Sequence, residues 1–307
     1  MDKRLLAALK GSLLEQEFSN YYKGTIYGPD GVGKTIAAAK VARKLDEAVD
    51  KRTLYWAIDP GGSDSFYNHP ELGYGSLIKP MKFLGLSQAD AIADAFWDKE
   101  DPFTDFGTLI VDTASNIAAL NIDLITGYRV KEKGGKPFDT NFEPSYGDFD
   151  FMRDMMGVYN QTTLQLRSSF LKLLLAPVNV ILIAHDRMWE DKKNTGQTFT
   201  MPSFTPEVYK AISRMCSQVI YMTADVMGSK GLDKSKVPSY RRKMQFHPSG
   251  SIIAKSHIGG LPVEAVNVKL EDIIFEWQQK GGKLESRPVY NPEVIPQELQ
   301  EETFGLA

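Results

Sequence analysis

The residues with the clearest chemistry are Gly28-Pro29-Asp30-Gly31-Val32-Gly33-Lys34-Thr35. Gly28 and the Gly33-Lys34-Thr35 run fit the spacing G-x-x-x-x-G-K-[ST], in which glycines let backbone N–H groups turn inward around a phosphate. A helix starting at this point adds unpaired N–H donors and partial positive charge. Lys34 would bring a mobile cation to the outer phosphates, and the Thr35 hydroxyl is a hard oxygen of the size that completes a Mg²⁺ shell. The plain alternative is a glycine-rich turn that binds nothing. Context weighs against it: a β-type run from Tyr22 to Tyr27 precedes the loop, and an alanine-rich stretch from Ile36 to Ala48, apolar at helical intervals, follows it.

A second candidate is Asp112, which ends the apolar run Gly107-Thr-Leu-Ile-Val111. A carboxylate at such a strand end, beside a phosphate loop, holds Mg²⁺ directly or through water. The competing role is a cap, from Asp112 or Thr113, on a helix beginning near Ala114. His185 closes another buried-strand pattern, Val178 to Ala184. A lone histidine is commonly structural, yet the carboxyl ends of parallel strands face ligands, so both roles stand.

The elements that must position these groups follow from periodicity. Thr53 to Ile58 is a continuous apolar run closed by Asp59-Pro60-Gly61-Gly62, the pattern of a buried parallel strand ending in a turn. Ser87 to Lys99 reads as a helix capped by Ser87, Asp148 to Leu175 as a long helix, and Pro206 to Met215 as a short one. Gln218 to Met222 is a further strand, and Leu270 to Gln279 a helix stopped by Gly281-Gly282. Tyr240 to Phe246 and Ser251 to Lys255 bracket His247-Pro-Ser-Gly250, a hairpin signal that adds antiparallel strands at the C-terminal edge.

Two polar segments interrupt this pattern. The first, Gly127 to Gly147, carries Arg129, Lys131, Lys133, Lys136 and Phe138; the second, Arg187 to Thr205, carries Trp189, Lys192, Lys193, Phe199 and Phe204. Long loops of this kind are functional or disordered. Leu5 to Glu17 suits a small amphipathic helix, and residues 288–307, with four glutamates and no Lys or Arg, form an acidic mobile tail. The organisation is an N-terminal segment over 1–19, one domain over 20–287 and the tail over 288–307.

Bulk properties narrow the function classes. A chain of 307 residues with 42% hydrophobic content has ample core for a globular enzyme. Its net charge of −3 means that any nucleic-acid contact comes from local basic loops rather than the overall field. Cys216, the single cysteine, has no internal disulfide partner and sits in an apolar setting, the profile of a structural thiol in a reducing compartment. The apolar run after Lys3-Arg4 is too short for a signal peptide, and no later run reaches membrane-spanning length, so a cytoplasmic protein is expected.

Together these residues resemble the RecA-like P-loop ATPases of bacteriophages, in particular the single-strand annealing and recombination group. The likeness runs through Gly28–Thr35, Val111-Asp112-Thr113, the Tyr146-Gly147 entry to a long helix, Ile183-Ala184-His185, and Ala254-Lys255-Ser256-His257-Ile-Gly-Gly-Leu-Pro262. The resemblance implies an α/β fold with a RecA-like P-loop core: a mostly parallel sheet flanked by helices, with a C-terminal antiparallel hairpin. It implies ATP and Mg²⁺ as cofactors and a homo-oligomer with the nucleotide at the subunit interface. Lys255 would then be a cationic finger on a neighbour's γ-phosphate, its competing role being an ordinary exposed hairpin lysine. The family pattern Lys-x-Arg is here Lys255-Ser256-His257, and a histidine is only partly charged at neutral pH.

The family also places a glutamate after the second core strand to orient the attacking water. This chain offers Asp59, or next Asp64, and a shorter carboxylate predicts slow hydrolysis. By the same resemblance His185 senses the γ-phosphate, and the two polar segments contact single-stranded DNA. Their Lys and Arg residues would follow phosphates while Trp189, Phe199 and Phe204 stack on bases. A single-strand DNA-binding protein is a further implied partner. The implied function is ATP-dependent action on single-stranded DNA in phage recombination, annealing or repair. Its rivals are an NTP-driven helicase or packaging motor on the same core, and a nucleotide-dependent scaffold with little hydrolysis.

Overall fold

The computed structural model describes residues 21–59, 61–121, 151–190, 196–227 and 239–280. In chain order its elements are β1 (Lys23–Gly28), α1 (Lys34–Glu47), β2 (Arg52–Ala57), β3 (Ile78–Lys82), α2 (Ser87–Trp97), β4 (Phe106–Asp112), α3 (Phe151–Leu175) and β5 (Asn179–Glu190). They continue with β6 (Thr198–Pro202), α4 (Pro206–Met215), β7 (Gln218–Met227), β8 (Ser239–Gln245), β9 (Lys255–Ser256), β10 (Glu264–Val266) and α5 (Leu270–Gln279).

The sheet runs in the order β10-β8-β7-β1-β5-β4-β2-β3, with β6 added to β5 and β9 to β7. Every pairing from β7 across to β3 is parallel. The antiparallel pairings of β8 with β7 and of β10 with β8 lie at one edge. This is an α/β fold of the RecA-like P-loop kind, with antiparallel strands on the C-terminal side.

Near-continuous apolar strands require cover on both faces, and alternation along each strand decides which face a side chain serves. Leu54, Trp56, Leu109, Val111, Val180 and Leu182 pack with Ile92 and Phe96 of α2, Leu166 and Phe170 of α3, and Val208 and Ile212 of α4. Ile26, Tyr55, Ile110, Ile181 and Ile183 face the other way, onto Ala38, Ala42 and Leu45 of α1 and Ile273, Ile274 and Trp277 of α5. Each such Leu, Ile or Val withdrawn from water contributes about 1.5–3 kcal/mol, and the two layers together cover both faces of the sheet. The alanines of α1 let that helix lie close against this face of the sheet.

At the far end of α1, Asp46 is wholly buried. Its oxygens accept hydrogen bonds from Thr53 Oγ1 of β2 at 2.5 Å and Thr108 Oγ1 of β4 at 2.6 Å. Gly107 admits the carboxylate, since a Cβ there would lie 2.5 Å from Asp46 Oδ1. Burial pushes the Asp46 carboxyl up to about 6 despite the two hydroxyl donors.

Three local expectations change. Ser87 starts α2 as its first helical residue; Leu86 occupies the cap position and no side chain caps the end. Residues 240–246 do not pair with 251–255: β8 pairs with β7 and β10, while the turn at 247–250 folds locally through a Ser249–Ile252 bridge. The segment from Arg187 onward is not a loop at its base, because β5 runs on to Glu190 and pairs antiparallel with β6. The N-terminal segment, the Gly127–Gly147 segment and the acidic tail lie outside the described residues. Among the described residues no helix is long and apolar enough to cross a membrane.

Candidate functional site

The site is built where β1 ends. Gly28 has φ 153°, and a Cβ on it would sit 2.0 Å from the Met222 carbonyl oxygen of β7. Only glycine lets the two backbones approach this closely. The loop then turns through Gly31 (φ 75°) and Gly33 (φ 91°), both in the left-handed region. Gly33 occupies the N-cap of α1 with no side-chain cap, and the first turn holds no acidic residue. Its N–H donors and the positive end of its dipole therefore suit an anion.

Lys34 Nζ donates to the carbonyls of Gly28 at 2.8 Å and Pro29 at 2.7 Å, beneath the loop. Desolvation lowers its pKa, opposed by the carboxylates of Asp30 and Asp112. The next residue reaches the neighbouring carboxylate: Thr35 Oγ1 donates to Asp112 Oδ2 at 2.6 Å. Tyr55 OH donates to the same oxygen at 2.8 Å, and Thr113 Oγ1 lies 3.1 Å from Oδ1. Burial raises the Asp112 pKa, and these three hydroxyls work against that rise. The carboxylate faces Thr35, whereas the helix after it begins at residue 116. This separates Asp112 from the capping role.

Hard oxygen donors of this kind, a hydroxyl and a carboxylate side by side, fit Mg²⁺, and the uncapped α1 terminus fits a phosphate chain. Asp59 stands one hydroxyl away: its Oδ2 accepts from Thr113 Oγ1 at 2.6 Å and its Oδ1 from Asn116 Nδ2 at 2.6 Å. Asp64 is exposed on the 3₁₀ turn Gly62–Asn68. His185 is paired in register with Gly28 across β1 and β5, and its Nδ1 lies 2.6 Å from Asp30 Oδ1 in the loop. The strand order makes this possible, because β5 separates β1 from β4 and delivers His185 between loop and Asp112.

Lys255 has a different setting from that of a free finger. On β9 it pairs with Val219 of β7, level with Thr25 of β1 and three residues before the loop. Its ammonium donates to the carbonyls of Ser213 at 2.6 Å and Cys216 at 2.9 Å, closing the C-terminal turn of α4. Desolvation, and after it the Lys255 charge, lowers the pKa of His257.

Of the residues expected at DNA, Arg129, Lys131, Lys133, Lys136, Lys192 and Lys193 lie outside the described residues. Trp189 and Phe199 face each other across the β5–β6 stem with ring centroids 6.1 Å apart. Phe204 is a core residue, buried against Phe170 at 5.7 Å, and is not available to stack on a base. Sequence reasoning missed Tyr55, Asn116 and Arg242, whose Nε donates to the Val32 carbonyl at 3.2 Å. The first two lie close to Asp59 and Asp112 in sequence or in register and were open to notice. Arg242 becomes visible only once β8 is placed beside β7.

A family model described as AAA domain matches residues 20–258. No curated protein matches the chain. Among solved structures, a KaiC-like protein from the hyperthermophilic archaeon Pyrococcus horikoshii OT3 is similar over 73% of this chain and 77% of its own, at 13% identity and a TM-score of 0.37.

Proposed function

The chain belongs to the AAA domain family, and from that premise we propose that it binds ATP with Mg²⁺ at Gly28–Thr35, hydrolyses it slowly, and uses the cycle on single-stranded DNA. The contact that carries the nucleotide part is Thr35 Oγ1 to Asp112 Oδ2 at 2.6 Å, directly beneath the uncapped start of α1. Backbone N–H groups from Gly31 to Thr35 cradle the phosphates, and Lys34 adds the cation. Thr35 and Asp112 hold the metal, which when bound neutralises phosphate charge.

Asp59, rather than the exposed Asp64, orients the attacking water and accepts its proton. Both Asp59 oxygens already accept a short hydrogen bond, which leaves fewer lone pairs for the water and supports slow turnover. His185, touching the loop through Asp30, reports the outer phosphate to the β5–β6 stem. The DNA part is supported by the stem's aromatic pair, by the basic residues in the two polar segments, and by the resemblance to phage recombination proteins. Head-to-tail self-association belongs to the same proposal; within the single subunit the Lys255 ammonium is held by the carbonyls of Ser213 and Cys216, from which it would have to be released to reach a neighbouring nucleotide.

An ATPase assay with and without single-stranded DNA, run beside Lys34→Ala, tests it. Slow turnover stimulated by DNA and abolished by the variant is expected. ATP-dependent, salt-sensitive DNA binding should weaken on charge reversal at Lys131, Lys133, Lys192 and Lys193; unchanged binding would remove the DNA assignment. The engaged Asp59 also favours a second reading, a nucleotide-dependent scaffold. Nucleotide binding without turnover or DNA affinity selects that one.

A further inference from the structure

Arg242 lies over the loop on a rigid base. Its strand is paired on both sides, with Ala224 of β7 opposite Arg242 and Val266 of β10 opposite Lys243. Its amide donates to Asn267 Oδ1 at 3.1 Å, and its carbonyl accepts from the Asn267 amide at 2.8 Å. Asn267 turns back to make this pair with φ 51°.

From this base the guanidinium reaches the outer side of the loop. Nε donates to the Val32 carbonyl at 3.2 Å, and a Cβ built on Gly33 would lie 3.1 Å from Nε and 3.4 Å from Nη2. Lys243, the next residue, is matched with Asp225 at 2.7 Å. Among the described residues no ion pair is formed by Arg242, so its charge is spent on the loop backbone.

The Val32 carbonyl and the Gly33 N–H belong to one peptide unit, which is trans. In a trans peptide these two groups point in opposite directions. A cation that holds the carbonyl outward therefore aims the Gly33 N–H inward, and polarises that peptide so that its N–H is a stronger donor. Lys34 serves the cradle from α1, and Arg242 serves it from the sheet edge.

We infer that Arg242 is a positioning residue supplied by the same subunit, one that fixes and charges the Val32–Gly33 peptide for the phosphate chain of a nucleoside di- or triphosphate. The inference rests on the loop being a nucleotide site. It also predicts a distinction among ligands: the effect requires the phosphates that the loop cradles, so a nucleoside with no phosphate is indifferent to Arg242.

The test is equilibrium binding of fluorescent ADP and a non-hydrolysable fluorescent ATP analogue to the full chain and its Lys34→Ala, Arg242→Ala, Arg242→Lys and Arg242→Gln variants, with melting temperatures measured without nucleotide. Arg242→Ala should weaken both nucleotides about ten-fold, the scale of a lost hydrogen bond to a charged group. Arg242→Lys should recover most of that loss and Arg242→Gln little, while the melting temperature stays within a degree or two of wild type.

Wild-type affinity in Arg242→Ala overturns the assignment, as does full recovery in Arg242→Gln, which would make the side chain a neutral peg. A weakened affinity accompanied by a matching fall in melting temperature also overturns it, in favour of a purely structural role. If instead the wild type binds neither nucleotide, or Lys34→Ala binds as well as wild type, the nucleotide site itself fails, and the two failures are told apart.

Discussion

Replacing Asp46 with asparagine should remove the pH dependence of one part of the stability. The carboxyl is buried between Thr53 and Thr108 and is pushed up to about 6. An unfolded aspartate titrates at about 3.9, and each pKa unit corresponds to about 1.36 kcal/mol, so the difference amounts to about 3 kcal/mol. The folded-state value is the higher one, so the folded chain holds this proton more tightly than the unfolded chain does. The favourable contribution is complete below pH ~4 and is lost as the pH rises to about 6, above which ionised Asp46 is carried at that cost.

Asparagine has nearly the same shape and no charge. One of its two polar atoms is a donor, so one threonine hydroxyl must reverse its role, a penalty of about 1 kcal/mol that does not vary with pH. Urea unfolding, followed by the fluorescence of the buried Trp56 and Trp277, measures both proteins from pH 4 to 7.5. The difference in stability, variant minus wild type, should rise by about 3 kcal/mol across that range. Parallel profiles for the two proteins would show that Asp46 does not titrate between them, and would refute the burial argument.

Gly28→Ala drives a methyl group into the Met222 carbonyl at 2.0 Å; a loss of about 3 kcal/mol in urea unfolding is expected, together with loss of nucleotide binding. Tyr55→Phe removes one donor from Asp112 Oδ2, which raises the carboxyl pKa further. Nucleotide binding should then need more Mg²⁺ as the pH is lowered, while wild type changes less, as read by Mg²⁺ titrations at several pH values. Phe204→Ala should cost about 3–5 kcal/mol of stability as a core truncation. Trp189→Ala should leave the unfolding midpoint nearly unchanged and weaken single-stranded DNA by about 1–3 kcal/mol, the scale of one stacked base.

The parts legible in the sequence were those fixed by local chemistry. The spacing of Gly28, Gly33, Lys34 and Thr35 defines a loop between strand and helix whatever surrounds it, and the α5 boundaries follow from Leu270 and the glycines after Gln279. Asp112 was readable because a carboxylate seldom closes an apolar run unless it serves a site or caps a helix. What escaped depends on partners distant in the chain. Arg187 to Glu190 reads as polar loop because no apolar run marks it: even when paired with β6, Met188 is exposed and Arg187 and Trp189 are only half-buried. The His247-Pro-Ser-Gly250 turn promised a hairpin, but Tyr240 to Gln245 found a longer ladder on β7. The settings of Phe204 and Lys255 were hidden for one reason: α3 buries the first and the end of α4 engages the second, and each helix is distant in sequence from the residue it engages.

The unbroken course of β5 has a thermodynamic consequence. From His185 to Trp189 the strand advances about 13 Å at about 3.3 Å per residue, with no change of backbone conformation on the way. Five residue pairs from Asp186↔Pro202 to Glu190↔Thr198 already fix the stem. Ordering ten free residues costs on the order of 10 kcal/mol in backbone entropy, and here folding has met that cost before any partner arrives. A ligand seated on this arm keeps the contact energy that a floppy loop would consume.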